Sequence, residues 1–381
     1  MPSRRLPSGM MTTAAPSDFD SYRGLSVLVT GHTGFKGSWL SLWLHKLGAT
    51  VTGLALDPPS IPNHFETSGV SELLEADLRC DIRDADKVAE AVRTSRPDIV
   101  FHLAAQPIVR TSLESPRETF DVNVMGTASV LDAVRLAGRQ CTVIVITSDK
   151  CYRNDGQVWG FRETDPLGGH DPYSASKAGS ELVVDAYRSS YFSGDHTTDT
   201  GIQLASARAG NVVGGGDWAE DRIVPDAVRA LASSTDLVVR NPRSTRPWQH
   251  VLEPLSGYLT LGQRLLVDEE GWDSAWNFGP LIDDEATVAD LADAVVAAWG
   301  SGRWVTPTGA VPNVEAKTLR ISIDKAVIEL GWRPRWGFEE TVLRTVNWYR
   351  HFYRNPEAST RGISLSDIEA YESAAPTLTI S

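Results

Sequence analysis

An alternation of short apolar runs with longer amphipathic stretches, between residues 25 and 206, is the feature that most constrains the fold. The runs are rich in β-branched residues and have the length of strands, whereas the stretches carry apolar residues at helical spacing. Strands that alternate with helices form a parallel sheet covered by helices on both faces. We therefore predict an α/β protein with a Rossmann-type, doubly wound parallel sheet. Its strands are predicted at Leu25–Thr30, Val51–Leu56, Leu73–Asp77, Ile99–Leu103, Thr142–Thr147 and Ile202–Ser206, and its helices at Phe35–Leu47, Ala85–Thr94, Pro116–Ala137 and Tyr173–Tyr191.

The composition excludes several classes of protein. The 381 residues include 36 Lys and Arg against 49 Asp and Glu, a formal net charge of −13, with no dense basic run that could bind a nucleic acid. No window approaches the ~18–20 consecutive apolar residues that a membrane helix needs. Cys80, Cys141 and Cys151 show no metal-ligand spacing and fit a reducing compartment. We therefore expect a cytoplasmic protein that binds no nucleic acid, membrane or metal.

A glycine-rich turn follows the first predicted strand and opens the first predicted helix. Three glycines between residues 31 and 37 are spaced as Gly-x-x-Gly-x-x-Gly. In this context the glycines allow a tight turn, close approach to a pyrophosphate and helix–sheet packing, while N–H groups at the helix start bind the anion. The alternative is a plain strand-to-helix turn. The predicted dinucleotide contacts here are Gly31, Thr33, Gly34, Phe35, Lys36 and Gly37.

The acid expected at the adenosine ribose is Asp57, 20 residues after Gly37. Its carboxylate would repel a 2′-phosphate, so we predict NAD as the cofactor rather than NADP. His32 and Lys36 favour NADP instead, since a cation near this corner could tolerate the 2′-phosphate. Asp81 follows the third predicted strand and is a candidate for the adenine amino group or, equally, a loop acid or helix cap. Further cofactor contacts are predicted at Ile82, Leu103, Ala104, Ala105, Gln106 and Thr147, near strand ends.

A phenol and an ammonium share one face of a predicted helix, because Tyr173 and Lys177 are four residues apart. A nearby cation lowers the pKa of a phenol, so Tyr173 could exchange a proton with an alcohol or ketone near neutral pH. Ser148 supplies a hydroxyl after the fifth predicted strand. Together with the dinucleotide turn, this set predicts hydride transfer at a carbon that bears a hydroxyl group.

Longer strings accompany these motifs, namely Gly31–Trp39, Ala104–Pro107, Thr147–Tyr152, Arg208–Val212 and Arg246–Val251. With them, the chain resembles the extended short-chain dehydrogenase/reductase superfamily, in which Asn123 matches a helix asparagine of the cofactor site. Within that superfamily the chain is similar to the nucleotide-sugar epimerase/dehydratase family, and most closely to its CDP-glucose 4,6-dehydratases, over about residues 22–349. The resemblance implies a Rossmann domain, NAD and a nucleotide-sugar substrate.

The resemblance also implies a redox-neutral lyase reaction. The sugar's 4-hydroxyl is oxidised, water is eliminated across carbons 5 and 6, and the hydride returns to carbon 6. Ser148 and Tyr173 would act on the 4-hydroxyl. Lys177 would tune the phenol and bind the nicotinamide ribose, and Asp149 would protonate the departing 6-hydroxyl. Lys150 is either the base at carbon 5, which requires a neutral amine, or a cation that steadies an enolate or holds Asp149.

Arginines downstream are candidates for holding the diphosphate, because charge-assisted arginine contacts suit phosphate oxygens. His250 could contact the ligand or cap a helix, and we favour the structural role. The predicted substrate contacts are Gln106, Ser148, Asp149, Asn211, Arg222, Arg240, Arg246 and His250.

Beyond Ala207, frequent Pro and Trp and a glycine run at 214–216 indicate a smaller C-terminal α/β lobe for the substrate. We predict a disordered tail over residues 1–20 and an NAD-binding domain with the catalytic residues over 21–207. The nucleotide-sugar lobe is predicted mainly over 208–360, with room for some chain to return to the first domain, and a C-terminal tail over 361–381.

Other functions stay open from the residues alone. A nucleotide-sugar 4-epimerase would use Tyr173 and NAD without needing Asp149, a 4,6-dehydratase could act on another nucleotide sugar, and a cofactor-sensing regulator would need no catalytic set. By analogy with relatives, helices Pro116–Ala137 and Tyr173–Tyr191 are expected to form a four-helix bundle in a homodimer, with a higher oligomer as the alternative.

Overall fold

The computed structural model describes residues 19–192, 201–267, 271–284, 286–307 and 319–376, so the expected N-terminal tail lies outside the described residues up to residue 18. Its strands are β1 Ser26–Thr30, β2 Thr50–Ala55, β3 Ala76–Arg79, β4 Ile99–His102, β5 Cys141–Ile146, β6 Ile202–Ala209, β7 Val212–Val213, β8 Leu237–Val238, β9 Thr245–Arg246, β10 Gln249–His250, β11 Ala275–Phe278, β12 Ala286–Thr287 and β13 Trp304–Val305. Seven of them form one parallel sheet in the order β11-β6-β5-β4-β1-β2-β3. The short strands pair as β7 with β10, β8 with β13 and β9 with β12.

Helices cover both faces of this sheet. They are α1 Phe35–Lys46, α2 His64–Thr67, α3 Ala85–Ser95, α4 Val109–Glu114, α5 Pro116–Phe120, α6 Gly126–Ala137, α7 Pro172–Tyr187, α8 Ile223–Ala232, α9 Leu252–Leu266, α10 Val288–Trp299, α11 Phe338–Arg354 and α12 Arg361–Ser373. Val27 and Val29 of β1 join the core that contains α1 and α9, whereas Leu28 joins the core of α3, α6 and α7. Because both faces are buried, the strands read as nearly continuous apolar runs. The predicted doubly wound sheet is confirmed, and no described helix is long and apolar enough to cross a membrane.

The predicted elements differ from the structure in detail. The third strand is Ala76–Arg79 rather than Leu73–Asp77, because Val70–Leu73 forms a 3₁₀ turn before it. The two longest predicted helices each include a wider π turn, at Asp121–Met125 and Arg188–Phe192. Apolar spacing alone does not distinguish these turns from α-helix.

Two segments beyond residue 207 pack on the first domain. Strand β11 extends the sheet beside β6. The C-terminal segment expected to be a tail contains α12, whose Tyr371 is buried and whose Glu372 accepts hydrogen bonds from Trp43 (2.8 Å) and Lys46 (2.7 Å) of α1. Ile368, one helical turn before Tyr371, is also buried, so this helix has an apolar face that the core covers.

Candidate active site

The turn between β1 and α1 brings backbone against backbone. Gly31 has a φ of +77°, and a Cβ there would lie 2.7 Å from the backbone nitrogen of Ala104. A Cβ on Gly37 would lie 2.1 Å from the carbonyl oxygen of Gly31. Gly34 caps α1 without a side-chain oxygen, which leaves the first N–H groups of the helix for another acceptor. This cradle fits a pyrophosphate.

The corner expected to hold the adenosine ribose lies at the end of β2. The Asp57 side chain there is 92% exposed, and Arg79 Nη1 lies 3.6 Å from its Oδ1. His32 is buried, with its Nε2 2.8 Å from Asp77 Oδ1, and burial lowers its pKa so that the neutral ring is favoured. The cation beside Asp57 is therefore Arg79, which corrects the expectation that His32 or Lys36 takes that place.

Lys36 instead extends from the first turn of α1 towards the catalytic residues. Its Nζ lies 3.4 Å from the hydroxyl of Tyr258, and its charge acts on the carboxyl of Asp149. Burial, followed by the charges of Arg222 and Lys177, lowers the pKa of Lys36 to about 7. Lys36 thus connects the glycine turn to the catalytic centre.

The other predicted cofactor residues lie close to strand ends. Thr33 Oγ1 donates to the carbonyl of Leu56 (2.9 Å) and so ties the glycine turn to β2. Asp81 forms an ion pair with Arg83 at 2.6 Å; the hydrogen bonds from Arg83 lower the pKa of Asp81 and favour the loop-acid interpretation. Shortly after their strands come Ile82, Leu103, Ala104, Ala105 and Thr147.

Gln106 and Asn123 hold each other. Asn123 Oδ1 accepts from the backbone N–H of Gln106 (2.8 Å), and Asn123 Nδ2 donates to Ser176 Oγ (2.8 Å). The Gln106 side chain donates to Thr119 (2.9 Å) and accepts from the N–H of Ile108 (2.6 Å). Both side chains therefore tie the loop after β4 to neighbouring helices, including α7.

The loop that carries the predicted catalytic residues, the catalytic loop of residues 148–151, follows the end of β5. Ser148 Oγ donates to Asp149 Oδ1 (3.1 Å) and accepts from the N–H of Lys150 (3.2 Å). The other carboxyl oxygen of Asp149 is buried and has no hydrogen-bond partner among the described residues. A Cβ on Gly210 would lie 2.9 Å from that oxygen, so glycine leaves room for the carboxyl group. An orphaned, buried carboxyl oxygen is suited to bonding a ligand hydroxyl.

The environment of Asp149 favours its protonated form. Burial raises the pKa of this carboxyl. The charges of Lys150, Lys36 and Arg246 oppose the rise, as does the hydrogen bond from Ser148. A carboxyl whose pKa is raised is better suited to act as a general acid than an ordinary surface carboxyl.

Tyr173 and Lys177 project from the first two turns of α7. Burial raises the pKa of Tyr173 to about 12, while a hydrogen bond with Ser148 and the charge of Arg222 act to lower it. Lys177 Nζ donates to the carbonyl of Ile146 (3.3 Å). The expected lowering of the phenol's pKa towards neutrality by Lys177 is therefore absent from this structure, where Arg222 is the cation that acts on the phenol.

Two of the predicted substrate arginines act on the catalytic residues. Arg246, at the end of β9, is buried, and its charge opposes the rise in the pKa of Asp149. The charge of Arg222 acts on Tyr173 in the same direction. Asn211 lies between β6 and β7. Arg246 and Arg222 thus lie close enough to the predicted catalytic side chains for their charges to act on them, and Arg222 is itself paired with Asp217 at 2.8 Å.

Arg240 and His250 are engaged with other protein groups. Arg240 forms an ion pair with Asp221 at 2.7 Å, and Asp221 also accepts from Arg110 at 3.1 Å. His250 is fully buried, and its Nδ1 accepts from the N–H of Leu252 (3.3 Å) at the start of α9. This placement favours the helix-capping role of His250.

Two buried residues behind the catalytic loop were not expected from the sequence. Glu181 Oε2 lies 2.7 Å from Arg208 Nη2. Helical spacing is the signal that could have indicated Glu181, because it follows Lys177 by four residues and Tyr173 by eight, on one face of α7. Arg208 begins one of the motif strings, where no role was assigned to it.

Comparison with known proteins identifies the family. The model described as GDP-mannose 4,6 dehydratase matches residues 28–273. The chain belongs to this family of nucleotide-sugar dehydratases. Its relative in Salmonella typhimurium, a CDP-glucose 4,6-dehydratase, is 48% identical over 341 residues, covering 89% of this chain and 94% of the relative. The family resemblance seen in the motifs is confirmed.

Solved structures show the same fold in this dehydratase family and in epimerases. The epimerase Mth375 from Methanothermobacter thermautotrophicus is 29% identical, with a TM-score of 0.73, over 89% of this chain and 95% of the epimerase. DesIV, a dTDP-glucose 4,6-dehydratase from Streptomyces venezuelae with NAD and TYD bound, is 25% identical, with a TM-score of 0.70, over 88% of this chain and 99% of DesIV.

Proposed function

We propose that the protein is an NAD-dependent CDP-glucose 4,6-dehydratase, which converts CDP-glucose to CDP-4-keto-6-deoxyglucose with loss of water. The observation that carries this proposal is the buried carboxyl of Asp149, which is hydrogen-bonded to Ser148 beside Tyr173 and has one unpartnered oxygen among the described residues. A dehydratase needs a proton donor for the departing 6-hydroxyl, whereas an epimerase does not. The 48% identity to a CDP-glucose 4,6-dehydratase supports cytosine as the nucleotide base of the substrate.

NAD suits the cradle between β1 and α1. The glycines and the uncapped start of α1 would hold its pyrophosphate, Asp57 its adenosine ribose and Lys177 its nicotinamide ribose. When bound, NAD supplies the hydride acceptor for carbon 4 and the hydride donor for carbon 6. The NAD bound in DesIV supports this assignment.

The protein's own residues move the protons. Tyr173, as a phenolate, accepts the proton of the 4-hydroxyl while Ser148 hydrogen-bonds to the same oxygen. Because burial raises the pKa of Tyr173 to about 12, the nearby charge of Arg222 and the hydrogen bond with Ser148 have to stabilise that phenolate.

A ketone at carbon 4 acidifies the hydrogen on carbon 5, so a modest base removes it. Asp149 gives its proton to the 6-hydroxyl, which leaves as water. The base returns its proton to carbon 5 when carbon 6 is reduced. Lys150, whose charge acts on Asp149, is the candidate for this base or for the cation that holds the acid.

Product analysis with CDP-, TDP-, GDP- and UDP-glucose tests the proposal. We expect a 4-keto-6-deoxy sugar, detected by its ultraviolet absorbance in alkali, to form fastest from CDP-glucose and in excess of the NAD added. Formation of CDP-galactose without a ketone would identify a 4-epimerase. Faster turnover of another nucleotide sugar would show that cytosine is not the preferred nucleotide base. Absence of turnover with all four would favour a cofactor-sensing protein.

We also propose a homodimer formed through a four-helix bundle. Leu113, Phe120, Met125 and Leu182 are exposed on α4, α5, the π turn and α7, which pack side by side. A second copy would cover this apolar surface. Sedimentation analysis should give a dimer for the wild type and a monomer for Leu182→Glu; a dimer in both would contradict the bundle.

We also propose a cytoplasmic location, which agrees with the three free, buried cysteines.

A further inference from the structure

A buried carboxylate behind the catalytic loop has no part in the reaction proposed above. Glu181 of α7 is 2% exposed, and its two oxygens accept from donors on β6 and from the residue that follows β5. Thr147 donates to Oε1, while Ser206 Oγ (2.8 Å) and Arg208 Nη2 (2.7 Å) donate to Oε2. Because Thr147 directly precedes Ser148, this carboxylate fastens the catalytic loop to the helix that carries the catalytic phenol.

The hydrogen-bond network continues from Arg208 to the edge of the sheet. Arg208 Nη1 donates to Tyr152 Oη (2.8 Å), and Tyr152 donates to Asn277 Oδ1 (2.7 Å) on β11. Tyr152 comes directly after the 3₁₀ turn Asp149–Cys151. The Glu181–Arg208 pair therefore holds the catalytic loop at both of its ends.

The charge of Glu181 also affects the pKa of Lys177, which lies one helical turn earlier. Burial lowers the pKa of Lys177 to about 8, and the charge of Glu181 opposes this. Cys151, after β5, acts in the same direction as Glu181. Lys177 is also close to the buried ring of His102 on β4 and to Lys36 on α1, whose pKa values its charge lowers.

Glu181 itself is an anion. Burial acts to raise its pKa, but the hydrogen bond and charge of Arg208, together with the two hydroxyl donors, lower it overall. Both side chains of the pair are almost completely buried, with exposures of 4% for Arg208 and 2% for Glu181, so each charge depends on the other.

We propose that Glu181, paired with Arg208, is a positioning residue for dehydration, which fixes the catalytic loop against α7 and places its carboxylate one helical turn from Lys177, where the nicotinamide ribose would bind. This inference rests on the proposed function, because it assumes that NAD binds beside Lys177. It predicts that removal of the Glu181 charge alters how NAD binding depends on pH.

NAD binding across pH, followed by calorimetry or by quenching of tryptophan fluorescence, tests the inference without turnover. In the wild type we expect NAD binding to weaken at alkaline pH as Lys177 loses its proton. Because Lys36 titrates nearby, comparison with a Lys177→Met variant identifies the part of this weakening that is due to Lys177. In Glu181→Gln, which keeps the side-chain volume, we expect this weakening to begin about one pH unit lower than in the wild type. The double variant Glu181→Gln/Arg208→Met, which leaves no unpaired buried charge, should fold normally and show a smaller shift in the same direction.

Glu253→Gln is the matched control, because Glu253 is a buried glutamate of α9 that Tyr371 and the backbone of Trp336 hold. This variant should leave the pH dependence of NAD binding unchanged. If the alkaline weakening in both Glu181 variants coincides with that of the wild type while only the melting temperature changes, Glu181 is merely structural and the inference is wrong. Failure of the wild type to convert CDP-glucose would overturn the proposed substrate and leave this readout intact.

Discussion

Two carboxyl groups are buried near each other, Asp149 within the catalytic loop and Glu181 behind it on α7, and their pKa values are shifted in opposite directions. Among the described residues Asp149 receives one hydrogen bond, from Ser148, and burial raises its pKa. Glu181 receives three, one of them from the guanidinium of Arg208, and its pKa is lowered despite burial. Desolvation favours the neutral acid at both positions, so the partners decide the protonation state. One region thus contains a carboxyl whose pKa is raised, the proposed proton donor, and behind it a carboxylate whose pKa is lowered.

Glu253 shows that the charge of the donors matters more than their number. It accepts from Tyr371 Oη (2.6 Å) and from the N–H groups of Trp336 (2.7 Å) and Arg335 (3.0 Å), so it also has three donors. Burial nevertheless raises its pKa to about 7. The difference from Glu181 is that these donors are neutral groups, whereas a guanidinium bonds directly to Glu181.

Removal of the proton donor should have the largest effect. Asp149→Asn keeps the size of the side chain but cannot protonate the 6-hydroxyl. We expect kcat for 4-keto-6-deoxy sugar formation to fall by about 10²–10⁴-fold, with little change in the free energy of unfolding, because the amide has the same volume and keeps an oxygen that can accept from Ser148. Product analysis and urea denaturation measure the two quantities. Lower stability with less than a tenfold loss of kcat would make Asp149 a structural residue.

Removal of one partner from the buried ion pair should destabilise the fold strongly. Arg208→Met leaves Glu181 charged without its cation, and we expect the free energy of unfolding in urea to fall by about 3–5 kcal/mol. The double variant with Glu181→Gln should recover most of that loss. An equal loss in the single and double variants would show that the pairing of the charges is unimportant.

Glu253 should make stability depend on pH. Its pKa rises from 4.5 to about 7 on folding, so the folded protein keeps a proton that the unfolded chain releases between those pH values. The stability of the wild type relative to Glu253→Gln should therefore fall by about 2–3 kcal/mol as the pH rises from 5 to 8. Urea denaturation at both pH values measures this. A difference that is independent of pH would contradict the raised pKa.

An exposed ion pair should have the smallest effect. Arg83 and Asp81 have side chains 39% and 28% exposed, so solvent screens their interaction. We expect Arg83→Gln to change the free energy of unfolding by less than about 1 kcal/mol. A loss comparable to that of Arg208→Met in the same denaturation experiment would show that burial does not determine how much each ion pair stabilises the fold.

Features that repeat along the chain were predictable. The alternation of strands and helices gave the sheet, and the four-residue spacing placed Tyr173 and Lys177 on one helix face. The glycine spacing likewise predicted the backbone cradle at Gly31. In each of these cases, local geometry determines the structure.

Features that depend on packing between distant segments were not predictable. Lys36 is next to the cradle in sequence, yet it reaches Tyr258, more than 200 residues later in the chain. Arg79, rather than His32, accompanies Asp57 because β2 and β3 are paired. Strand β11 lies beyond the regular alternation of strands and helices that indicated the other six strands, and it joins the sheet only through its pairing with β6.

The late position of β11 in the chain has a consequence for synthesis. Strand β6 lies between β5 and β11 in the sheet, but β11 begins only at Ala275. A nascent polypeptide that has emerged from the ribosome only as far as α8 therefore presents β6 with one edge open, and its free N–H and C=O groups can recruit a foreign strand. Truncations that end before residue 275 should aggregate, and chaperones should bind the growing chain until that edge is closed.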